Sequence, residues 1–177
     1  MAASTCSRQG DGEILMDYSE ITKQLYIGTT PGRLDYEVLR GMGVRLVINM
    51  RFLRGEPPPA GIPTIHYLRF RTIDHPLFPI PIEALLRGAR AGLTVLHEGG
   101  KVYVHCSRGR HRSIAMAAAI LIASGLSPAE AMSTIRLRRA AADPEAAHIR
   151  PRILAFAHAW AESQSAGADQ QPHEVGN

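Results

Sequence analysis

Cys106 and Arg112 lie six positions apart and enclose a short polar segment with an internal glycine, Gly109. Apolar residues stand on both sides, so we expect a strand, a loop and then a helix whose N-terminal N–H groups point at one spot and bind an anion. An arginine at the helix entry can hold two phosphate oxygens in a fork that lysine cannot reproduce. The same positive surroundings favour the thiolate of Cys106, which can attack phosphorus without a separate base.

A leaving alkoxide or phenoxide needs a proton, and a carboxylic acid on a loop opposite the nucleophile can donate it. Asp74 is the leading candidate because it follows a predicted strand and is the only acid between Glu56 and Glu83. The resulting carboxylate would then activate the water of a second step. Asp143 is a weaker rival.

The elements that position these residues alternate between strand and helix. Alternation and β-branching predict a strand pair across 15–28 and strands at 45–50, 65–70 and 101–105. Helical spacing predicts helices near 34–42, 82–96, 113–123, 128–139 and 151–160, and Ser127 has the spacing of a capping box. The pattern predicts an α/β domain with a central, largely parallel (mixed) sheet of about five strands flanked by helices.

Composition favours one folded domain. The chain has 177 residues, 45% hydrophobic content, a formal charge of +4 and two cysteines. We expect a catalytic domain over 13–161 with flexible tails at 1–12 and 162–177. Two distant cysteines do not form a disulfide framework, and no stretch suits a membrane span, so a cytoplasmic location with Cys106 as a free thiol is expected.

The sequence contains the motif Cys-x5-Arg-Ser, which a His precedes, and Asp74 lies 32 residues upstream of the cysteine. With these features the chain resembles, over about 17–160, the dual-specificity subgroup of the cysteine-dependent protein tyrosine phosphatase superfamily. The resemblance implies that fold, Cys106 as nucleophile, Arg112 as phosphate clamp, and Asp74 as general acid and base. Ser113 would assist the leaving thiolate, and His105 is expected to orient the loop by hydrogen bonds. No metal or cofactor is implied. The predicted phosphate-binding residues are Ser107, Arg108, Gly109, Arg110, His111 and Arg112.

The loop departs from the common pattern because Arg108, Arg110 and His111 replace small or apolar residues, and no acid occurs between Gly99 and Ala129. The substrate is therefore open. One hypothesis is a phosphotyrosine or phosphoserine/threonine protein; another is a phosphorylated polyanion such as a phosphoinositide, an inositol phosphate or an RNA 5′-phosphate.

Two further interpretations carry less weight. A phosphate-binding module without turnover follows if Asp74 is not the acid, and sulfurtransferase chemistry is disfavoured by the upstream Asp and the following Ser. A zinc site built from Cys106, His105 and His111 is excluded because these residues are too crowded and lack a second cluster. The sequence does not indicate an oligomeric state.

Overall fold

A computed structural model describes residues 16–53, 57–59 and 65–168. The predicted class is confirmed, since a five-stranded mixed sheet is flanked by helices. The strands are β1 (Tyr18–Thr22), β2 (Leu25–Gly28), β3 (Val44–Asn49), β4 (His66–Arg69) and β5 (Lys101–His105). The helices are α1 (Asp35–Gly41), α2 (Ile82–His97), α3 (Arg112–Ala123), α4 (Pro128–Arg138) and α5 (Arg150–Ala168).

The sheet has the order β1-β2-β5-β3-β4. Only the β1–β2 pair is antiparallel, whereas β2, β5, β3 and β4 run parallel to one another. Parallel strands end at the same edge of a sheet, so four loops converge beyond their carboxyl ends, where ligands bind in open α/β sheets.

Alternating side chains place a core on each face of the sheet. In β3, Leu46 and Ile48 join the larger core with α2 to α5, whereas Val47 joins the smaller core on the face covered by α1. Helix α3 is apolar nearly all round and buried along its length, as its sequence predicts. The interior Gly88 of α2 allows close approach to it, because a Cβ at that position would lie 2.4 Å from the Met116 sulfur.

One boundary was predicted wrongly. Helix α5 continues through Ala168, although a flexible tail was expected from residue 162. The Ala, Glu and Gln residues in 161–164 favour a helix once an upstream segment nucleates it, so the absence of a periodic apolar face did not end it. The predicted tails at 1–12 and 169–177 lie outside the described residues. The capping box at Ser127 is confirmed.

No helix within the described ranges is long and apolar enough to cross a lipid bilayer.

Candidate active site

Cys106 follows β5 directly and starts the loop that leads into α3. Its Sγ lies 3.3 Å from the Ser113 hydroxyl oxygen, and the residue is 1% exposed. Burial opposes ionisation of the thiol, but hydrogen bonds from the Ser113 hydroxyl and from the N–H groups of Ser113 and Arg110, together with the charge of Arg112, lower its pKa below the ordinary value. The surroundings therefore favour the thiolate, as the sequence predicted.

Gly109 gives the loop its tight curvature. Its φ of +60° lies in the left-handed region, and a Cβ there would lie 2.8 Å from the Gly28 carbonyl oxygen. The loop thus packs against the end of β2, where Thr30 donates a hydrogen bond of 3.2 Å to the Cys106 carbonyl.

Arg112 is held by two neighbouring loops. Its Nη1 donates to the carbonyl oxygens of Met50, at 3.1 Å, and Thr72, at 2.9 Å, and these residues follow β3 and β4. Its Nε is buried and has no hydrogen-bond partner among the described residues, although the Asp74 carboxylate lies 3.7 Å away. A buried donor on a fixed guanidinium is what a bound phosphate oxygen would satisfy.

Asp74 reaches the same place from the loop after β4. One carboxylate oxygen lies 3.0 Å from His148 Nε2, and the other lies 3.2 Å from His111 Nδ1. Burial raises the pKa of Asp74, but the hydrogen bond with His148 and the charges of His111 and Arg112 outweigh it, so that the pKa lies below its ordinary value. Asp74 is a carboxylate in the substrate-free protein at neutral pH.

The remaining loop residues have different surroundings. Ser107 lines the cleft, and the Arg108 side chain is exposed. The Arg110 guanidinium lies 3.6 Å from the Asp143 carboxylate, and His111 Nδ1 lies 3.2 Å from the Asp74 carboxylate. Asp143, the weaker acid candidate, thus faces the outer side of the loop, and substrate contacts of Arg108, Arg110 and His111 stay predictions.

His105 does not make the hydrogen bonds expected of a loop-orienting residue. Both ring nitrogens are buried without a hydrogen-bond partner among the described residues, and the ring centroid lies 6.0 Å from that of Tyr103. Burial lowers the pKa of His105 to about 3, so the ring is neutral at physiological pH. The neutral ring packs beneath the loop, and a weak interaction with the Cys106 backbone opposes part of the effect of burial on its pKa, so the loop-orienting role stays a prediction.

Asp74, Ser107 and Arg112 border an open cleft of about 450 Å³. Arg51 lies on one wall, and its Nη1 donates to the Thr30 hydroxyl at 2.9 Å. The lining residues are Arg51, Phe52, Leu53, Thr72, Ile73, Asp74, Ser107 and Arg112.

Sequence reasoning missed Arg139, which stands at the end of the helix predicted over 128–139. The residue is 2% exposed, and its Nε donates to the Gly109 carbonyl at 2.7 Å while Nη1 donates to the Ser19 hydroxyl at 3.1 Å. Its Nη2 lies 2.8 Å from the Asp17 carboxylate. Helix α4 ends at Arg138 and Arg139 is extended, so helical spacing gave no guide to its direction.

His148 was also missed. It lies 74 positions from its partner Asp74, in a segment without periodic signal, so no local pattern in the sequence indicates the contact.

Similarity to known proteins identifies the family of this chain. No family model matches it. A human protein, phosphatidylglycerophosphatase and protein-tyrosine phosphatase 1, is 33% identical over 145 residues, which cover 77% of this chain and 69% of the human protein.

Solved structures agree with that match. PTPMT1 in complex with PI(5)P is 28% identical with a TM-score of 0.69, and the match covers 85% of this chain and 98% of that one. Human DUSP28 is 25% identical with a TM-score of 0.68, covering 84% and 95%. The chain therefore belongs to the dual-specificity subgroup of the cysteine-dependent protein tyrosine phosphatase superfamily and is a cysteine-dependent phosphatase.

Proposed function

We propose that this phosphatase hydrolyses the phosphomonoester of a phospholipid headgroup through a phosphocysteine intermediate on Cys106. The observation that carries the substrate class is the apolar rim of the cleft. Five of the nine large hydrophobic side chains that are exposed in the described ranges belong to the two loops after β3 and β4. The apolar rim consists of Phe52, Leu53, Ile73, Leu77 and Phe78, which are between 40% and 78% exposed.

Exposed apolar side chains beside a cationic cleft suit a lipid surface. The rim residues Phe52, Leu53 and Ile73 line the cleft itself, together with Arg51. Acyl chains and glycerol would contact the rim while the phosphate reaches Arg112, and contiguous exposed apolar surface in a soluble domain marks an interaction site. The human relative is named as a phosphatidylglycerophosphatase, and PTPMT1 was solved with PI(5)P, which supports the same class.

In the first step the Cys106 thiolate attacks phosphorus as the bond between phosphorus and the leaving oxygen breaks. Asp74 gives its proton to that oxygen. Its lowered pKa does not prevent this, because a bound phosphate dianion offsets the charge of Arg112 and repels the carboxylate, which favours protonation in the complex. Arg112 holds the transferred phosphoryl oxygens through Nε and its remaining donors.

In the second step the Asp74 carboxylate takes a proton from water, whose oxygen attacks phosphorus as the phosphorus–sulfur bond breaks. The Ser113 hydroxyl, 3.3 Å from Sγ, donates to the departing thiolate. Both steps need a reduced Cys106, so we also propose a reducing, cytoplasmic location.

Protein dephosphorylation is the second candidate. The cleft is open to solvent, the human relative is also named as a protein-tyrosine phosphatase, and human DUSP28 shares the fold. A phosphotyrosine ring could contact the rim residues Phe52 and Ile73 in place of a lipid, so the two substrates must be compared directly.

The test uses a double variant, Phe52→Gln with Leu53→Gln, and the control Leu137→Gln, a leucine on α4 that is 78% exposed against 67% for Leu53. Burying one such side chain contributes about 1.5–3 kcal/mol, which corresponds to roughly tenfold to somewhat more than a hundredfold in binding. We expect kcat/KM on a phosphorylated phospholipid in vesicles to fall at least about tenfold, with p-nitrophenyl phosphate hydrolysis within about twofold of wild type.

Equal lipid hydrolysis by the double variant, or a phosphopeptide that is a far better substrate than the lipid, would overturn the lipid proposal. The chemistry has its own controls, Cys106→Ser and Asp74→Asn. A wild type inactive on every substrate would favour a binding module, and little loss in Asp74→Asn on a poor leaving group would remove Asp74 as the acid.

A further inference from the structure

Three metal-ligating side chains converge beside the cleft: Asp74, His111 and His148. One donor atom from each lies within 4.8 Å of the others. They come from the loop after β4, from the cysteine loop and from the segment before α5. We propose that this cluster, the His-Asp-His site, binds a borderline divalent cation such as Zn²⁺, and that the bound cation stops turnover.

The spacing fits tetrahedral coordination. Zinc bonds to histidine nitrogen of about 2.0–2.1 Å place two ligand atoms about 3.3 Å apart. Here the nitrogens of His148 and His111 lie 3.0 and 3.2 Å from the two oxygens of Asp74. A cation would replace the protons that these histidines now share with the carboxylate. The three donor atoms lie within 4.8 Å of one another, so contraction to about 3.3 Å requires shifts of up to about 1.5 Å.

The donor set favours zinc over harder ions. Two imidazoles and one carboxylate suit zinc and similar transition metals, whereas Mg²⁺ and Ca²⁺ prefer oxygen ligands. This cluster differs from the crowded Cys106, His105 and His111 set that the sequence excluded, because its ligands come from separate segments. His105 is no part of it.

The site is accessible and has an outer partner. The three side chains are between 19% and 31% exposed, so a hydrated cation can reach them. The second ring nitrogen of His111 faces the Asp143 carboxylate at 4.0 Å. At 4.0 Å the two groups form no hydrogen bond, and a shift of about 1 Å would let the Asp143 carboxylate accept the ring N–H and orient a metal-bound His111.

Inhibition follows from what the cation occupies. A metal on Asp74 removes the carboxyl group that we propose as proton donor, so the loss of activity rests on the proposed function, whereas binding does not. The Arg112 guanidinium, 3.7 Å from Asp74, opposes a second cation. Reversible, regulatory affinity is therefore expected rather than the tight hold of a structural zinc.

Binding is measured with Co²⁺, which absorbs visible light in tetrahedral sites, on the full chain carrying Cys6→Ser and Cys106→Ser so that no thiolate contributes. We expect a visible band that Zn²⁺ displaces. His148→Gln and Asp74→Asn should each weaken binding at least about tenfold. The control His97→Gln removes an exposed histidine at the end of α2 and should change nothing.

Inhibition is measured on chains that retain both cysteines, with p-nitrophenyl phosphate. Zn²⁺ should inhibit wild type reversibly, with activity restored by a chelator, and His148→Gln should need at least about tenfold more Zn²⁺ relative to its own uninhibited rate. Thermal unfolding verifies that each variant is folded.

No visible band, or equal affinity in wild type and in a folded His148→Gln, overturns the site. Binding without inhibition keeps the site and overturns the claim that it stops turnover. Failure of the proposed function has a different signature, since it is seen in metal-free assays of the wild type.

Discussion

Arg139→Met tests the inference that one buried arginine holds the cysteine loop. Methionine keeps much of the aliphatic length but removes every donor. The Gly109 carbonyl loses a hydrogen bond of 2.7 Å and the Ser19 hydroxyl loses one of 3.1 Å. The loop residue with φ of +60° is then no longer fixed to β1.

The magnitude follows from which partners are left buried. An unsatisfied buried acceptor costs about 1–3 kcal/mol, and two are created. Asp17 is 53% exposed, so water replaces the lost ion pair and its share is at most about 1 kcal/mol. We expect a loss of about 2–7 kcal/mol, a large part of the roughly 5–15 kcal/mol that stabilises a domain.

Urea unfolding measures the free energy of unfolding. The kcat on p-nitrophenyl phosphate, measured at a temperature where the variant is folded, reports whether the cysteine loop keeps its catalytic geometry. The matched control is Arg138→Met, which makes the same change at the exposed neighbouring residue. Asp17→Asn should cost less than Arg139→Met. If the free energy of unfolding of Arg139→Met lies within about 0.5 kcal/mol of that of Arg138→Met, and Arg139→Met keeps its kcat, the buried contacts of Arg139 do not stabilise the loop.

Three further predictions concern the loop and its support. Ser113→Ala removes a donor to Sγ, so the pKa of Cys106 should rise, seen as a higher midpoint in the pH dependence of iodoacetamide alkylation; an unchanged midpoint would contradict it. His105 has a pKa of about 3 in the fold, against 6.5 as its ordinary value, so below pH 6.5 the unfolded chain binds a proton that the folded chain does not. Stability should therefore fall as pH falls, by about 2 kcal/mol at pH 5 from this residue, and urea unfolding of His105→Gln should lack that part of the slope. Gly109→Ala should lose far more activity and stability than Gly99→Ala. Both glycines have a positive φ, but of the two only Gly109 lacks space for a Cβ. Equal losses would show that the positive φ alone causes the effect.

Local patterns were sufficient for the fold. Strand β5 was predicted at its exact bounds, and α3 differs from its prediction by one residue, because a continuous apolar run next to a glycine pair is a strong signal. The error lay in α5, where residues with good helix propensity and no apolar stripe continue a helix that packing has already formed.

The site residues were predictable where reactive side chains lie close together in the sequence. Cys106, Ser113 and Arg112 lie on one strand–loop–helix unit, so the sequence alone brings them together. Asp74 was predictable by elimination, since no other acid lies between Glu56 and Glu83. Arg139 and His148 were not, because their directions depend on how α4 ends and how the segment before α5 crosses the loop.

The loop's cations have acidic neighbours in the fold that the sequence did not indicate, for the same reason. No acid occurs near them in sequence, yet the fold places Asp143 beside Arg110 and Asp74 beside His111, at 3.6 and 3.2 Å. The Arg110 pair is about half exposed on both sides, so breaking it costs at most about 1 kcal/mol. A second phosphate could therefore recruit Arg110 with less than a tenfold loss of affinity, and Arg108 is exposed, so contacts of these side chains with a polyphosphorylated ligand stay a prediction. On the proposed function, the apolar rim and Arg51 supply the contacts outside the loop that favour a phospholipid over other phosphomonoesters.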